Sequence, residues 1–76
     1  MSHITFKRIT SAESRIYDAE GDHVGDVYAH DDILNPGQRV YLVSLDEDPR
    51  GWATVHDRSR IRDVAEARLA SHPYFQ

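Results

Sequence analysis

Polar and apolar residues alternate along much of this chain, which is the pattern of β-strands with one buried face. Ile4 and Phe6 alternate with polar residues over 3–9 and predict a short first strand. The segment 39–45 is apolar at both odd and even positions, so we expect a strand in the interior of a sheet. Residues 52–56 predict a short return strand.

A polar segment at 18–22 (DAEGD) separates two apolar segments and predicts the turn of a β-hairpin. Aspartate suits the first position of a type I turn, and Gly21 can take the left-handed position that follows. The simplest register opposes Ile16 and Val24, while Gly25 leaves room for a bulge, so the register stays open.

The last third of the chain predicts a helix that begins at Asp57 or Ser59 and ends before Pro73. Its apolar positions recur at helical spacing. They are Ile61, Val64, Ala65 and Leu69.

Together these elements predict a single α+β domain over 1–76, a small antiparallel sheet of three to four strands with one C-terminal helix packed on a face. The length allows no second domain. We expect Tyr74 and Phe75 to fold back onto the body. The chain has no cysteine, and Met1–Thr10 lacks the apolar stretch of a signal peptide, so we expect a cytoplasmic protein.

Charge is strongly segregated along the sequence. Residues 18–48 carry nine acidic side chains against Arg39 alone, whereas 50–68 carry five arginines against three acids. The net charge of −4 argues against non-specific binding of nucleic acid by the whole chain. Segregation of this kind favours an electrostatic partner over a catalytic reaction.

No catalytic, metal or cofactor motif accompanies the charges, and we expect neither an enzyme nor a cofactor. The 18–22 segment resembles the start of a calcium loop but lacks the later glycine and glutamate. The histidines have no metal-binding spacing along the sequence, although His23, His56 and Asp26 could converge in space. Arg62 and Glu66 are spaced to pair on the helix.

The partner-binding residues we predict are the acids of 18–48 and two aromatic side chains that could anchor a contact. They are Asp18, Glu20, Asp22, Asp26, Asp31, Asp32, Asp46, Glu47, Asp48, Tyr28 and Trp52.

In size, acidity, lack of cysteine and sheet-plus-helix plan, the chain resembles the small phage-encoded inhibitors called anti-CRISPR proteins, and acidic proteins that mimic DNA. The resemblance covers the whole chain and rests on no motif. It implies an inhibitor that docks on a basic surface of a nucleic-acid-binding complex, including a CRISPR effector complex, and blocks access to DNA.

The sequence is also compatible with two other functions. The chain could bind nucleic acid through the sheet and the arginine-rich region 58–68. It could instead be an antitoxin-like or structural protein that self-associates, as a homodimer for example, with the acids of one copy on the arginines of another.

Overall fold

The computed structural model describes residues 4–72 as a five-stranded antiparallel sheet followed by one helix. The strands are β1 (Thr5–Thr10), β2 (Glu13–Tyr17), β3 (His23–Asp31), β4 (Arg39–Leu45) and β5 (Ala53–Val55). A turn of 3-10 helix (Arg58–Arg60) leads into helix α1 (Ile61–Ala70). The predicted α+β class with a C-terminal helix is confirmed. The expectation for Tyr74 and Phe75 lies outside the described residues.

The predicted number of three to four strands is wrong, because the sheet has five. Each strand pairs with the next one along the chain, in the order β1-β2-β3-β4-β5. The connection between β1 and β2 is only Ser11 and Ala12, so Thr10 already opposes Glu13 and the short N-terminal segment becomes a full edge strand. The Ala29 amide donates to the Ala12 carbonyl oxygen at 2.8 Å and ties that turn to β3.

The predicted β2–β3 hairpin is present, with Gly21 at φ 85° in its turn. Ile16 opposes Gly25 and the register shifts at the next residue, so Val24 lies in a bulge. Gly25 is required for a second reason. A β-carbon there would overlap the Ser44 carbonyl oxygen on the neighbouring strand.

One face of the sheet carries the core, and α1 packs on this face over β4 and β5. The predicted apolar stripe of the helix is confirmed, since Ala65 is buried and its three companions pack partly buried against the core. The buried core residues are Ile4, Ile16, Val24, Val27, Val43, Leu45, Val55 and Ala65. We call the opposite face, away from α1, the open face.

Successive turns of an antiparallel meander lie at opposite ends of the sheet. The connections 18–22 and 46–52 therefore share one end, together with the last turn of α1. The connections 11–12 and 32–38 share the other end with the start of the 3-10 turn. The nine residues of β3 separate the two ends by about 26 Å. Over residues 4–72, no helix combines the length and apolar character needed to cross a membrane.

Candidate docking surface

The acids predicted to meet a partner fall into two groups in the structure. Asp31 and Asp32 lie at the end of the sheet that holds the 32–38 connection. The remainder lie in or beside the connections at the opposite end. Leaving out Asp48, which is buried, we call these the acidic end: Asp18, Glu20, Asp22, Asp26, Asp46 and Glu47.

The two turns of the acidic end are rigid and joined to each other. The Asp18 carboxylate accepts hydrogen bonds from the Glu20 amide at 3.0 Å and the Asp22 amide at 2.8 Å, which closes the β2–β3 turn from inside. The Asp46 amide donates to the Val24 carbonyl oxygen at 2.8 Å, so the second turn is bonded to the first hairpin. These bonds hold together the backbones of two turns that carry carboxylates from distant parts of the chain.

His72, two residues after the end of α1, contacts the acidic end. The His72 side chain is fully buried, and its Nε2 lies 2.8 Å from the Asp46 carbonyl oxygen. Because a carbonyl oxygen only accepts, Nε2 carries the proton in this contact. The β4–β5 turn is therefore fixed to the end of the helix.

His23 lies between two of the carboxylates. Its Nε2 is 3.1 Å from Asp26 Oδ1, and its Nδ1 is 3.8 Å from Asp46 Oδ2. The three side chains offer one ligand atom each within 4.8 Å of one another, so they could hold a divalent cation with water completing its shell. The convergence suggested by the sequence was with His56 instead, but His56 follows β5 at the opposite end of the sheet.

Asp48 is a correction to the predicted set of partner-binding residues. Its side chain is only 1% exposed because two arginines cover it. Arg50 donates from Nε and Nη2 to the two carboxylate oxygens, both at 2.8 Å, and Arg68 Nη1 lies 3.5 Å from Oδ2. These hydrogen bonds from Arg50, with the charge of Arg68, hold the pKa of Asp48 far below its usual range. The carboxylate is neutralised within the protein and is not available to a partner.

The arginines that the sequence grouped in 58–68 are dispersed over the fold. Arg68 belongs to the Asp48 cluster, whereas Arg62 lies against β1. The Arg62 guanidinium lies 5.1 Å from the centre of the Phe6 ring and donates to the Ile4 carbonyl oxygen at 2.7 Å. The predicted pair with Glu66 is present at 3.7 Å.

At the opposite end, Asp32 has a structural role. Its carboxylate accepts from the Leu34 amide and the Asn35 side chain, both at 3.0 Å, and these bonds lower the pKa of Asp32. Asp31 is 94% exposed and lies 3.9 Å from Arg39 Nε, a pair that solvent weakens. This end therefore mixes both signs of charge.

Tyr28 and Trp52, the two predicted anchors, contact each other on the open face. Their rings meet edge to face with centroids 5.3 Å apart, and Trp52 is 51% exposed. Tyr28 follows Asp26 by two residues on β3, so both side chains point to the same face. The negative charge of Glu13 raises the pKa of Tyr28. The aromatic pair is thus continuous with the acidic end.

No protein-family model, curated protein or solved structure matches the chain. The resemblance to anti-CRISPR proteins therefore stays a prediction from size, acidity and architecture. What the chain can bind depends on the chemistry of its own exposed side chains, and the acidic end brings six carboxylates to one end of the sheet.

Proposed function

We propose that this chain is a small inhibitory protein of the anti-CRISPR kind, which acts in the cytoplasm as a protein-binding module. Its acidic end docks on a basic surface that a nucleic-acid-binding complex uses for DNA. Occupation of that surface blocks access of the DNA. No chemical step is involved.

The observation that supports this most is the lack of internal neutralisation at the acidic end. Among residues 4–72, no lysine or arginine forms an ion pair with any of its six carboxylates. Arg50 and Arg68, at the same end of the sheet, are occupied by Asp48, and Arg15, which opposes Asp26 in the register, forms no ion pair with it. A group of carboxylates without an arginine or lysine ion pair attracts a surface built to bind phosphates and accelerates the encounter with it.

The aromatic pair adds a second kind of contact. Tyr28 and Trp52 offer exposed ring surface beside the acids, and such residues contribute much of the affinity in protein interfaces. A partner that is basic at its centre and apolar at its rim fits both features. The acids would then govern the rate of encounter, and the rings would govern the lifetime of the complex.

The main alternative, nucleic-acid binding through 58–68, has less support. Two of the arginines in that region are engaged, Arg62 with β1 and Arg68 with Asp48. A strand of nucleic acid would have to compete with those contacts. It would also meet the repulsion of a chain with net charge −4.

The test uses a panel of purified CRISPR effector complexes, each with a fluorescent target duplex, and measures bound DNA as the chain is added. The variant Glu20→Lys/Glu47→Lys reverses one exposed charge in each turn of the acidic end. Its control, Asp31→Lys/Asp63→Lys, makes the same change in charge away from that end. Neither Glu20 nor Glu47 has a side-chain contact among the described residues, so we expect folding to be retained.

We expect the natural chain to displace DNA from at least one complex, with an inhibition constant that weakens steeply as salt rises. The acidic-end variant should lose about tenfold or more in potency, and the control should lose less than about threefold. Equal potency of both variants, or full DNA binding by every complex, would overturn the proposal. So would direct binding of the duplex by the chain itself, or self-association seen by sedimentation at low salt.

A further inference from the structure

A pocket lies on the core side of the sheet, at the end opposite the acidic end. Its volume is about 160 Å³, and arginines from three separate elements line it, Arg8 of β1, Arg39 of β4 and Arg58 of the 3-10 turn. Its floor is formed by Ser14 and Ala29, whose small side chains leave the hollow between the first hairpin and the start of the helix. We call this the arginine pocket.

The guanidinium groups of the arginine pocket are available. Over residues 4–72, the Arg58 guanidinium has neither a hydrogen bond nor an ion pair, and the Arg8 guanidinium uses only Nε, which donates to the Thr10 carbonyl oxygen at 3.3 Å. Arg39 has the loose contact with Asp31 described above. Three cationic side chains that converge with so little neutralisation form a site for an anion.

One acid, Glu13, also lines the arginine pocket, but its side chain is directed to the open face of the sheet, away from the three arginines. Glu13 opposes Tyr28 in the register, and its charge raises the pKa of that tyrosine on the open face. The hydroxyl-bearing side chains of Ser14 and Tyr41 remain as neutral lining on the core side. The chemistry of the pocket is therefore that of an oxyanion site.

A second cavity of about 240 Å³ adjoins the first, and the two share Ser14, Val27, Arg58 and Ile61. Its lining adds Phe6, Ser59 and Arg62. The Arg62 guanidinium is engaged by the Phe6 ring and the Ile4 carbonyl oxygen, so the apolar surface of this cavity comes from Phe6, Val27 and Ile61. A ligand that fills both cavities has one anionic group and one small apolar group. The arginine pocket alone is smaller than the roughly 300 Å³ at which pockets for whole drug-sized ligands begin, so it suits a single anionic group.

We propose that the arginine pocket binds the phosphate group of a small organic phosphate monoester, whose organic part lies in the adjoining cavity against Phe6, Val27 and Ile61. The dianionic charge of a phosphate monoester matches three guanidinium groups better than a single carboxylate does. The size of the pocket admits one terminal phosphate and not the successive phosphates of a nucleic-acid strand. This site is independent of the docking proposed above.

The test is a titration of the ¹⁵N-labelled chain, followed by amide and arginine Nε chemical shifts, with three probes. These are inorganic phosphate, phenyl phosphate and a single-stranded DNA 12-mer, all at constant ionic strength. We expect phenyl phosphate to shift the signals of Arg8, Ser14 and Arg58, with inorganic phosphate acting on the same signals more weakly. The acidic-end signals of Glu20 and Glu47 should not move.

Arg58→Gln should weaken phenyl phosphate binding by about five- to tenfold, because one charge-assisted partner is lost. Arg60→Gln removes the same charge from the same turn outside the pocket and should change binding by less than about twofold. Arg8→Gln and Lys7→Gln form a second matched pair, since these adjacent strand residues point to opposite faces. Equal losses within either pair, or shifts caused by the DNA and not by phenyl phosphate, would overturn the proposal.

Discussion

Replacement of Asp48 by asparagine is the sharpest test of what holds the acidic end in place. The carboxylate is 1% exposed and accepts two hydrogen bonds of 2.8 Å from the Arg50 guanidinium and one of 2.9 Å from the Arg50 amide. Arg68 adds a second positive charge at 3.5 Å. Asparagine keeps the shape of the side chain but removes the charge and turns a donor group toward the arginines.

The expected loss in the free energy of unfolding is about 2–3 kcal/mol. Breaking a fully buried ion pair costs about 3–5 kcal/mol, because the remaining charge is stranded. Here the cost is smaller, since Arg50 and Arg68 are 36% and 24% exposed and regain water when released. For a domain of this size the loss corresponds to a fall in Tm of about 10–20 °C.

The assay is thermal and urea unfolding by circular dichroism, from pH 7 down to pH 2.5. The pKa of Asp48 is lower in the folded state than in the unfolded chain, so its stabilisation is complete above the unfolded value of about 3.9 and is lost as the pH falls below it. The difference in the free energy of unfolding between the natural chain and Asp48→Asn should therefore be largest at pH 7 and should decrease only below about pH 4. Glu47→Gln is the control, because Glu47 is exposed in the same turn. A difference in the free energy of unfolding below about 0.5 kcal/mol at pH 7 would refute this account. So would a difference that stays the same down to pH 2.5.

Two further substitutions test the local geometry, each measured by urea unfolding. Gly25→Ala should destabilise the fold by about 1–3 kcal/mol, because the new β-carbon overlaps the Ser44 carbonyl oxygen. An unchanged stability would contradict the close packing of β3 on β4. Asp18→Ala should cost about 1 kcal/mol through loss of the bonds that close the β2–β3 turn. Glu20→Ala changes a side chain in the same turn that makes no such bonds, and it should cost less than about 0.5 kcal/mol. Equal losses for Asp18→Ala and Glu20→Ala would show that the Asp18 carboxylate does not stabilise the turn.

Much of the fold could be predicted because its signals are local. The 18–22 turn, with Gly21 at positive φ, follows from the backbone preferences of neighbouring residues. The helix follows from the spacing of Ile61 and Ala65. The predicted cap at Asp57 closes the 3-10 turn that leads into the helix, where its carboxylate accepts from the Ser59 amide at 3.0 Å, while α1 itself begins at Ile61 without a side-chain cap. The interior position of β4 in the sheet followed from apolar residues at both odd and even positions of the strand.

The number of strands and their register were less accessible, because both depend on pairing between segments. Nothing within β2 says that Ile16 should oppose Gly25 instead of Val24. The choice is fixed only in the assembled sheet, where Gly25 also lies close against Ser44 on β4. Pairing with β2 likewise makes the N-terminal segment an edge strand of the five.

The candidate sites divide in the same way. The sequence by itself determined that the chain is acidic, that its acids lie mainly in turns, and that its aromatic residues Tyr28 and Trp52 lie among them. Apart from Arg62 and Glu66 on the helix, it could not determine which charges neutralise each other, because an ion pair depends on distance in space. Only the tertiary structure covered Asp48 with two arginines and left the acidic end, within residues 4–72, without an arginine or lysine ion pair. It also brought Arg8 and Arg58, fifty residues apart in the sequence, to one pocket.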